Sequence, residues 1–488
     1  AIDEITKHLE NKKLGKKTIQ YKIRDWLISR QRYWGTPIPV VYCDKCGIIP
    51  VPEKELPVLL PENVEFTGQG NPLQNNEKFV NIKCPKCKGK AKRETDTMDT
   101  FVDSSWYFIR YCSNKYDKGA FDKLKVKYWM PVDLYVGGAE HAVLHLMYSR
   151  FFVKALRDMK LLSFNEPFKK LFNQGMLHKD GAVMSKSRGN IVTQKEISEK
   201  HGIDTARFFL LFIAGPDKDM EWDDKGIEGT YRILNKIYNL TDKVKSLNNK
   251  KDKNVISKLN KTIKDVTEHI DKLGFNLALI SINEFLNYFN KNKEFISKKI
   301  YDDCLKKLIL LINPFTPHLS EEMWEKTKNK GFSSITKWPS YDTKKIDYKI
   351  ETAENMVAKT ISDIKDIIDL IKIKQPKEIS IFVAEKWLYD TYKKLQKEKS
   401  RNIGEIIKKI IVKGHEQEIS KIVQAFIKDP GKISNTILDQ VYEFKYLQES
   451  KSMIEKEFNC VINIIKAESS NEQKSKQAMP NKPAILIK

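Results

Sequence analysis

Four cysteines stand in two short pairs, Cys43-Asp44-Lys45-Cys46 and Cys84-Pro85-Lys86-Cys87, separated by residues 47–83. Each pair lies in a tight turn beside glycine or lysine, and two thiolates from each of two such turns complete a tetrahedral Zn²⁺ site. Four sulfurs close the site, which makes the metal structural and leaves no open position for catalysis. Free thiols or a redox pair are the other uses of the same residues. A second stretch, Met184-Ser185-Lys186-Ser187-Arg188-Gly189-Asn190, is polar and carries two cations. Such a loop suits the leaving pyrophosphate of a nucleotide, where negative charge builds. Taken alone, it also fits an ordinary charged surface turn. His141 and His145 are spaced i, i+4, which on one helix projects both rings from a single face toward one cavity. Core or surface histidines, or two metal ligands, are the competing readings.

These residues need elements to hold them. Residues 36–95 alternate Pro, Gly and short apolar runs around the cysteines, the texture of a small loop-rich module. The run Val132–Val136 reads as a strand, Gly137-Gly138 as its turn, and the sequence through Arg157 as one long helix. Strand, glycine turn and helix form the unit of a doubly wound parallel sheet, whose ligands sit beyond the carboxyl ends of the strands. That places Gly137 and Gly138 at a ligand crevice. A short strand, Leu171–Met176, precedes the Met184–Asn190 loop. Between 226 and 345 the period is helical: Phe275, Ala278, Leu279, Ile282, Phe285, Leu286 and Phe289 share one face. Asn313-Pro314 stops a helix there and Thr316-Pro317 starts the next. From 346 onward a helix on Val357, Ile361, Ile364, Ile368 and Ile371 precedes a β-run, Ile379–Val383, and a terminal Ile485–Ile487. Polar, Lys-rich Ser469–Lys476 is expected to be a flexible surface segment.

At 488 residues the chain holds several domains, and 41% hydrophobic with 31% charged residues is ordinary for a globular protein. No window approaches the ~20 uninterrupted apolar residues of a membrane helix, so no membrane is expected. The acidic, amphipathic start differs from a secretory signal, and a cytoplasmic location is expected by default. Lys and Arg number 87 against 64 Asp and Glu, a net +23 that favours a polyanionic partner over an evenly solvated surface. Of the seven cysteines, Cys112, Cys304 and Cys460 stand apart in apolar surroundings and read as core fillers.

The Met-Ser-Lys-Ser-x-Gly-Asn loop resembles the second signature of class I aminoacyl-tRNA synthetases. Ser29-Arg30-Gln31-Arg32-Tyr33-Trp34-Gly35-Thr36-Pro37-Ile38-Pro39 is similar to the block that follows the editing insertion in the leucyl, isoleucyl and valyl members. Two blocks choose among these: Glu94–Phe101 with Asp103-Ser104-Ser105-Trp106-Tyr107, and Asp133–Gly138 with Glu140-His141-Ala142. Both resemble leucyl-tRNA synthetase and differ from its isoleucyl and valyl relatives. The tail, Gln477-Ala478-Met479-Pro480 to Ile485, is similar to archaeal-type leucyl enzymes, and the resemblance runs from about residue 18 to the end.

The resemblance implies a multidomain α/β and α protein. Residues 1–35 return into a class I Rossmann-like catalytic domain, 36–95 form an inserted zinc module, and 96–225 form the second catalytic half with the Met184–Asn190 loop. Residues 226–345 are the helical anticodon-binding domain, and 346–488 a small α/β C-terminal domain that binds tRNA. Phe101, Ser104, Tyr107, His141 and His145 match positions lining the leucine side-chain pocket. Gly138, Glu140 and Gln174 match adenosine-contacting positions, where a carboxylate accepts from ribose hydroxyls and a glycine leaves room for the base. Met184, Ser185, Lys186 and Ser187 complete the ATP set, with Lys186 as the catalytic charge. The implied activity is leucine–tRNA ligation, with Mg²⁺ accompanying ATP, structural Zn²⁺, and tRNA(Leu) as partner. A non-catalytic tRNA-binding subunit or fragment is the alternative from another class.

Three departures accompany the match. Val183 stands where the signature's first lysine is expected, and no leucine-specific insertion lies between Met176 and Met184. No His-x-Gly-His stretch occurs, and the editing domain is missing, because the sequence starts where the family resumes after editing. The expectation is therefore a fragment, or the second half of a split enzyme working with an N-terminal half in trans and inactive alone.

Overall fold

The computed structural model describes residues 1–22, 25–242 and 248–488. Ile23 and Arg24, in the segment 1–35 expected to return into the catalytic domain, and 243–247, in the expected helical region, lie outside the described residues. Two units are present, one of residues 1–176 with 217–219 and one of 177–216 with 220–488.

In the first unit, the cysteine module is a four-stranded antiparallel sheet in the order Gly47–Pro50, Val40–Cys43, Lys90–Arg93, Asn81–Lys83. Period-2 alternation builds it: Val41 and Cys43 point inward while Tyr42 stays in solvent. Its core is small, with Val41, Cys43, Cys84 and Ala91 in one cluster and Val58, Leu73 and Phe79 in another. Further along, Tyr135–Gly138 and Leu171–Gln174 pair in parallel, connected by the helix His145–Asp158, whose Val153 is fully buried. This is the expected strand–helix–strand unit, in a sheet of two strands among the described residues.

Two expectations here are corrected. The strand begins at Tyr135 and not Val132, which makes only an isolated bridge to Phe168. The ladder skips Asp133 and Leu134, and the Asp133 carboxylate turns to Lys169 Nζ at 2.7 Å. The single long helix is two, Glu140–Val143 and His145–Asp158, broken at Leu144 with φ −95° and ψ −91°. Backbone at that ψ lies outside the helical region, so His141 and His145 do not share a helix face.

In the second unit, Leu177–Lys179 and Ala182–Val183 form a hairpin, and Met220–Glu221 adds in parallel to Leu177–Lys179. The turn residues Asp180 and Gly181 both have positive φ, the geometry an Asp-Gly pair favours in a two-residue hairpin. The helical period is realised as a bundle of Asp252–Asp271, Phe275–Asn292, Lys298–Ile312 and Pro317–Lys326. Phe285, Phe289, Leu308 and Cys304 are fully buried in its core. Cys112 and Cys460 are half-buried against other clusters. Beyond the helix Tyr348–Ile371, the strand Glu378–Val383 sits between Val461–Lys466, parallel to it, and Ala484–Ile487, antiparallel. Every residue from Ile379 to Val383 is buried, as a central strand covered on both faces requires.

Residues 469–476, expected to be flexible, are folded. Gln473–Gln477 is a 3₁₀ turn packed on the last strand, Ser475 is buried, and its hydroxyl donates to the Glu472 carbonyl at 2.8 Å. The polar composition serves local side-chain-to-backbone bonds, which compete with regular structure without loosening the chain.

The helix Gln440–Phe458 carries Glu443, which has no solvent exposure. Its Oε2 accepts the Asn481 N–H at 2.9 Å, and the buried Tyr389 hydroxyl faces the same carboxyl. Burial pushes this carboxyl up from 4.5 to about 7. The folded state then holds a proton that the unfolded chain has lost, so stability is full below pH 4.5, falls as pH rises, and levels off above about 7. Glu443→Gln keeps the acceptor for Asn481 and removes the charge. In urea unfolding followed at pH 4.5 and pH 8, the variant should gain on the order of 1–3 kcal/mol over wild type at pH 8 and little at pH 4.5.

Candidate active site and metal centre

The sheet of the cysteine module brings its two turns together. Cys43 closes the hairpin opposite Gly47, whose φ of +75° needs a glycine, and Cys84 and Cys87 flank a turn ending at Lys88 and Gly89. The four sulfurs lie within 4.8 Å of one another, with Cys43 Sγ 3.6 Å from Cys87 Sγ, and none is disulfide-bonded. Zn–S bonds of about 2.3 Å at tetrahedral angles place sulfurs about 3.8 Å apart, so the cluster fits such an ion. The Cys87 N–H points at Cys84 Sγ at 3.4 Å and, more than any other contact, lowers that thiol to about 7. Hydrogen bonding to Cys87 pushes the Cys46 thiol up to about 12. One thiolate of the cluster is thus already favoured by backbone geometry.

His145 is buried where the helix it starts meets the strand Tyr135–Gly138. Its Nδ1 is 2.7 Å from the Tyr135 hydroxyl, and its Nε2 lies 2.6 Å from the Ser104 carbonyl and 3.2 Å from Ser149 Oγ. Tyr107 stacks over the ring at 6.0 Å between centroids. Ser104, Tyr107 and His145 are therefore together. Phe101 approaches from the same helical turn and stacks on Tyr148, centroids 5.0 Å apart. His141 sits elsewhere, beside Gly137 and with Nε2 4.0 Å from the Glu140 carboxylate. Among the described residues, Ser104 Oγ and His141 Nδ1 are both buried without a hydrogen-bond partner. Buried polar atoms are nearly always paired, so each is an atom that a ligand or water could meet.

Gly138 and Gln174 face each other in register at the carboxyl ends of the two parallel strands. A Cβ on Gly138 would collide with the Glu140 carboxylate, so the glycine makes room for that side chain. Glu140 and Gln174 are exposed there. One residue on, a Cβ at Gly175 would overlap the Lys218 backbone, while the Met176 N–H donates to Asp219 at 2.7 Å.

In the second unit, the Met184–Asn190 loop leaves the hairpin through a 3₁₀ turn, Lys186–Arg188, closed by Gly189 at φ +67°. Asn190 holds it: Oδ1 accepts the Ser185 N–H at 2.9 Å, and Nδ2 donates to the Lys179 carbonyl at 3.0 Å and to the Ala182 carbonyl at 3.3 Å. Ser185 and Ser187 hydroxyls are 3.2 Å apart, and Lys186 projects into solvent. Val183 pairs with His178 in the hairpin, so the position of the missing lysine is a strand end.

Sequence reasoning passed over Tyr135, Ser149, Asn190 and Gly175. Asn190 and Gly175 had a signal, a polar residue closing a loop and a glycine after a strand. Ser149 had one too, the i, i+4 spacing from His145 on one helix, whereas Tyr135 had none, since only the fold brings it to His145.

Comparison with known proteins matches two successive segments of the chain. The family of class I tRNA synthetases (I, L, M and V) matches residues 4–223, and the anticodon-binding domain of tRNA ligase matches residues 252–383. Leucine–tRNA ligase of Thermosipho melanesiensis is 51% identical over 360 residues, covering 70% of this chain and 44% of the relative. That of Dehalococcoides mccartyi strain CBDB1 is 51% identical over 346 residues, covering 70% and 43%. The chain thus spans less than half the length of these curated relatives. Among solved structures, the ternary complex of Agrobacterium radiobacter K84 agnB2 LeuRS with tRNA and LeuAMS superposes with TM-score 0.60 at 33% identity, over 79% of this chain and 48% of that one. With a catalytic segment followed by an anticodon-binding segment, and relatives at half identity over most of its length, the chain belongs to the class I aminoacyl-tRNA synthetases, in the leucine–tRNA ligase family.

Proposed function

We propose that this chain supplies the C-terminal part of a leucine–tRNA ligase: the leucine side-chain pocket, the pyrophosphate-facing loop and the tRNA-binding domains. The reaction joins leucine and ATP to leucyl-adenylate, releasing pyrophosphate, and then passes the leucyl group to the terminal ribose of tRNA(Leu). The observation that carries this reading is the cluster of Ser104, Tyr107 and His145, joined through Tyr135 to the strand whose end holds Gly138. Phe101 and His141 complete the proposed leucine set, and Glu140 and Gln174 the proposed adenosine set. Amino acid and nucleotide would meet where the strand ends, as ligands do in parallel α/β sheets.

In adenylate formation the leucine carboxylate attacks the α-phosphate and pyrophosphate leaves, so the protein's work is to position groups and stabilise phosphate charge. Met184, Ser185, Lys186 and Ser187 are the proposed contacts to ATP and its Mg²⁺, with Lys186 as the cation for the leaving group. Asn190, by fixing the loop's backbone, keeps that cation aimed. Cys43, Cys46, Cys84 and Cys87 would hold one Zn²⁺, whose contribution is to fasten the module. The helical bundle and terminal domain would lie along the tRNA, and the lysine surplus supports a phosphate-rich partner.

Three outcomes test this reading. With the chain complemented by an N-terminal synthetase half, Lys186→Ala should lower kcat by about 10²- to 10³-fold in leucine-dependent aminoacylation while the KM for leucine stays close to wild type. An unchanged kcat would remove the assigned role and favour a non-catalytic tRNA-binding subunit. Elemental analysis of the purified chain should give one zinc per chain, and Cys84→Ser should lose it; a full equivalent in that variant contradicts the ligand set. Filter binding of tRNA(Leu) across 50 to 200 mM salt should weaken by orders of magnitude, since phosphate contacts release counterions.

A further inference from the structure

We propose that Tyr135 is a positioning residue of the amino-acid pocket: its hydroxyl fixes the His145 imidazole in the neutral Nε2–H tautomer, so the ring presents an immobile, uncharged wall to the substrate side chain. This rests on the pocket reading above. The Ser104 carbonyl, 2.6 Å from Nε2, can only accept, so Nε2 carries a proton. In a neutral ring Nδ1 is then the acceptor, and the group facing it at 2.7 Å is the Tyr135 hydroxyl, which donates. Ser149 Oγ, fully buried and 3.2 Å from Nε2, shares that proton as a second acceptor. Among the described residues the polar partners of the ring are these three, and none is a carboxylate, so a charged ring there would be buried without a counter-ion.

The arrangement also fixes where the ring sits. Ser104 belongs to the short helix Thr100–Ser104, Tyr135 to the strand, and Ser149 to the helix His145–Asp158, so each bond comes from a different element. Tyr135 is itself held by stacking on Phe168, centroids 4.4 Å apart and planes 14° from parallel. Its hydroxyl proton is engaged with the histidine, which assigns it an orienting role. Because the same strand runs on to Gly137 and Gly138, the tyrosine ties the wall of the amino-acid pocket to the backbone of the nucleotide side.

Histidine-selective ¹⁵N labelling of the full chain tests the tautomer, with His145→Gln identifying the signal among the eight histidines. The expected result is a protonated Nε2 and an unprotonated, hydrogen-bonded Nδ1. A protonated Nδ1, whether in the other tautomer or in an imidazolium, overturns the proposal. Tyr135→Phe keeps the stack on Phe168 and removes only the donor. It should move the Nδ1 resonance downfield and, in the complemented enzyme, raise the KM for leucine roughly threefold to tenfold with kcat changed far less. If the resonance and KM both stay put, Tyr135 does not position the ring. If the tautomer is as expected but neither Tyr135→Phe nor His145→Ala moves the KM for leucine, the pocket assignment itself fails and the role with it.

Discussion

A buried imidazole must find partners for both ring nitrogens, and in the first unit that requirement organises the site. His145 can reach the Ser104 carbonyl and the Tyr135 hydroxyl together only because the chain leaves the strand, makes one short helical turn and breaks at Leu144 before the longer helix begins. A continuous helix would have put His141 and His145 on one face. The break instead leaves His141 beside Gly137 and gives His145 to the interior. Two polar atoms nearby in sequence to these groups, Ser104 Oγ and His141 Nδ1, stay buried without a hydrogen-bond partner among the described residues.

The cysteine module obeys a different constraint. Its apolar core is a handful of side chains, too few to hold four short strands by burial alone, and small modules of this kind rely on a metal or another cross-link. Two turns that converge four sulfurs within 4.8 Å supply the donors for one. The Met184–Asn190 loop needs no such clamp, because the Asn190 side chain bonds the backbone at four points and leaves Lys186 exposed.

How much of this could be read from residues alone depends on range. The Cys-x-x-Cys pairs, the helical face from Phe275 to Phe289 and the β-run Ile379–Val383 are local patterns, and each became the element its period required. The break at Leu144 was not legible, since nothing in Ala142-Val143-Leu144-His145 forbids a helix and the partners His145 meets beyond it, Ser104 and Tyr135, lie on other elements. The strand start at Tyr135 was misplaced because Asp133 prefers Lys169, a partner only the fold supplies. Ser469–Lys476 looked mobile from composition, yet its seryl and glutamyl groups bond locally and fold it. The candidate pocket residues came from resemblance, whereas Tyr135 and Ser149 came only from the structure.

We propose that this chain carries one side of a two-sided adenylation site, with Lys186 as the proposed pyrophosphate contact beside the proposed leucine pocket, while its 488 residues hold no His-x-Gly-His stretch. Leucine-dependent exchange of pyrophosphate into ATP measures that most directly. No exchange above background is expected from the chain alone, with exchange restored on mixing with a His-x-Gly-His-bearing N-terminal half. Exchange by the lone chain would contradict the two-sided site, and a mixture that binds tRNA(Leu) yet never exchanges would contradict a catalytic role.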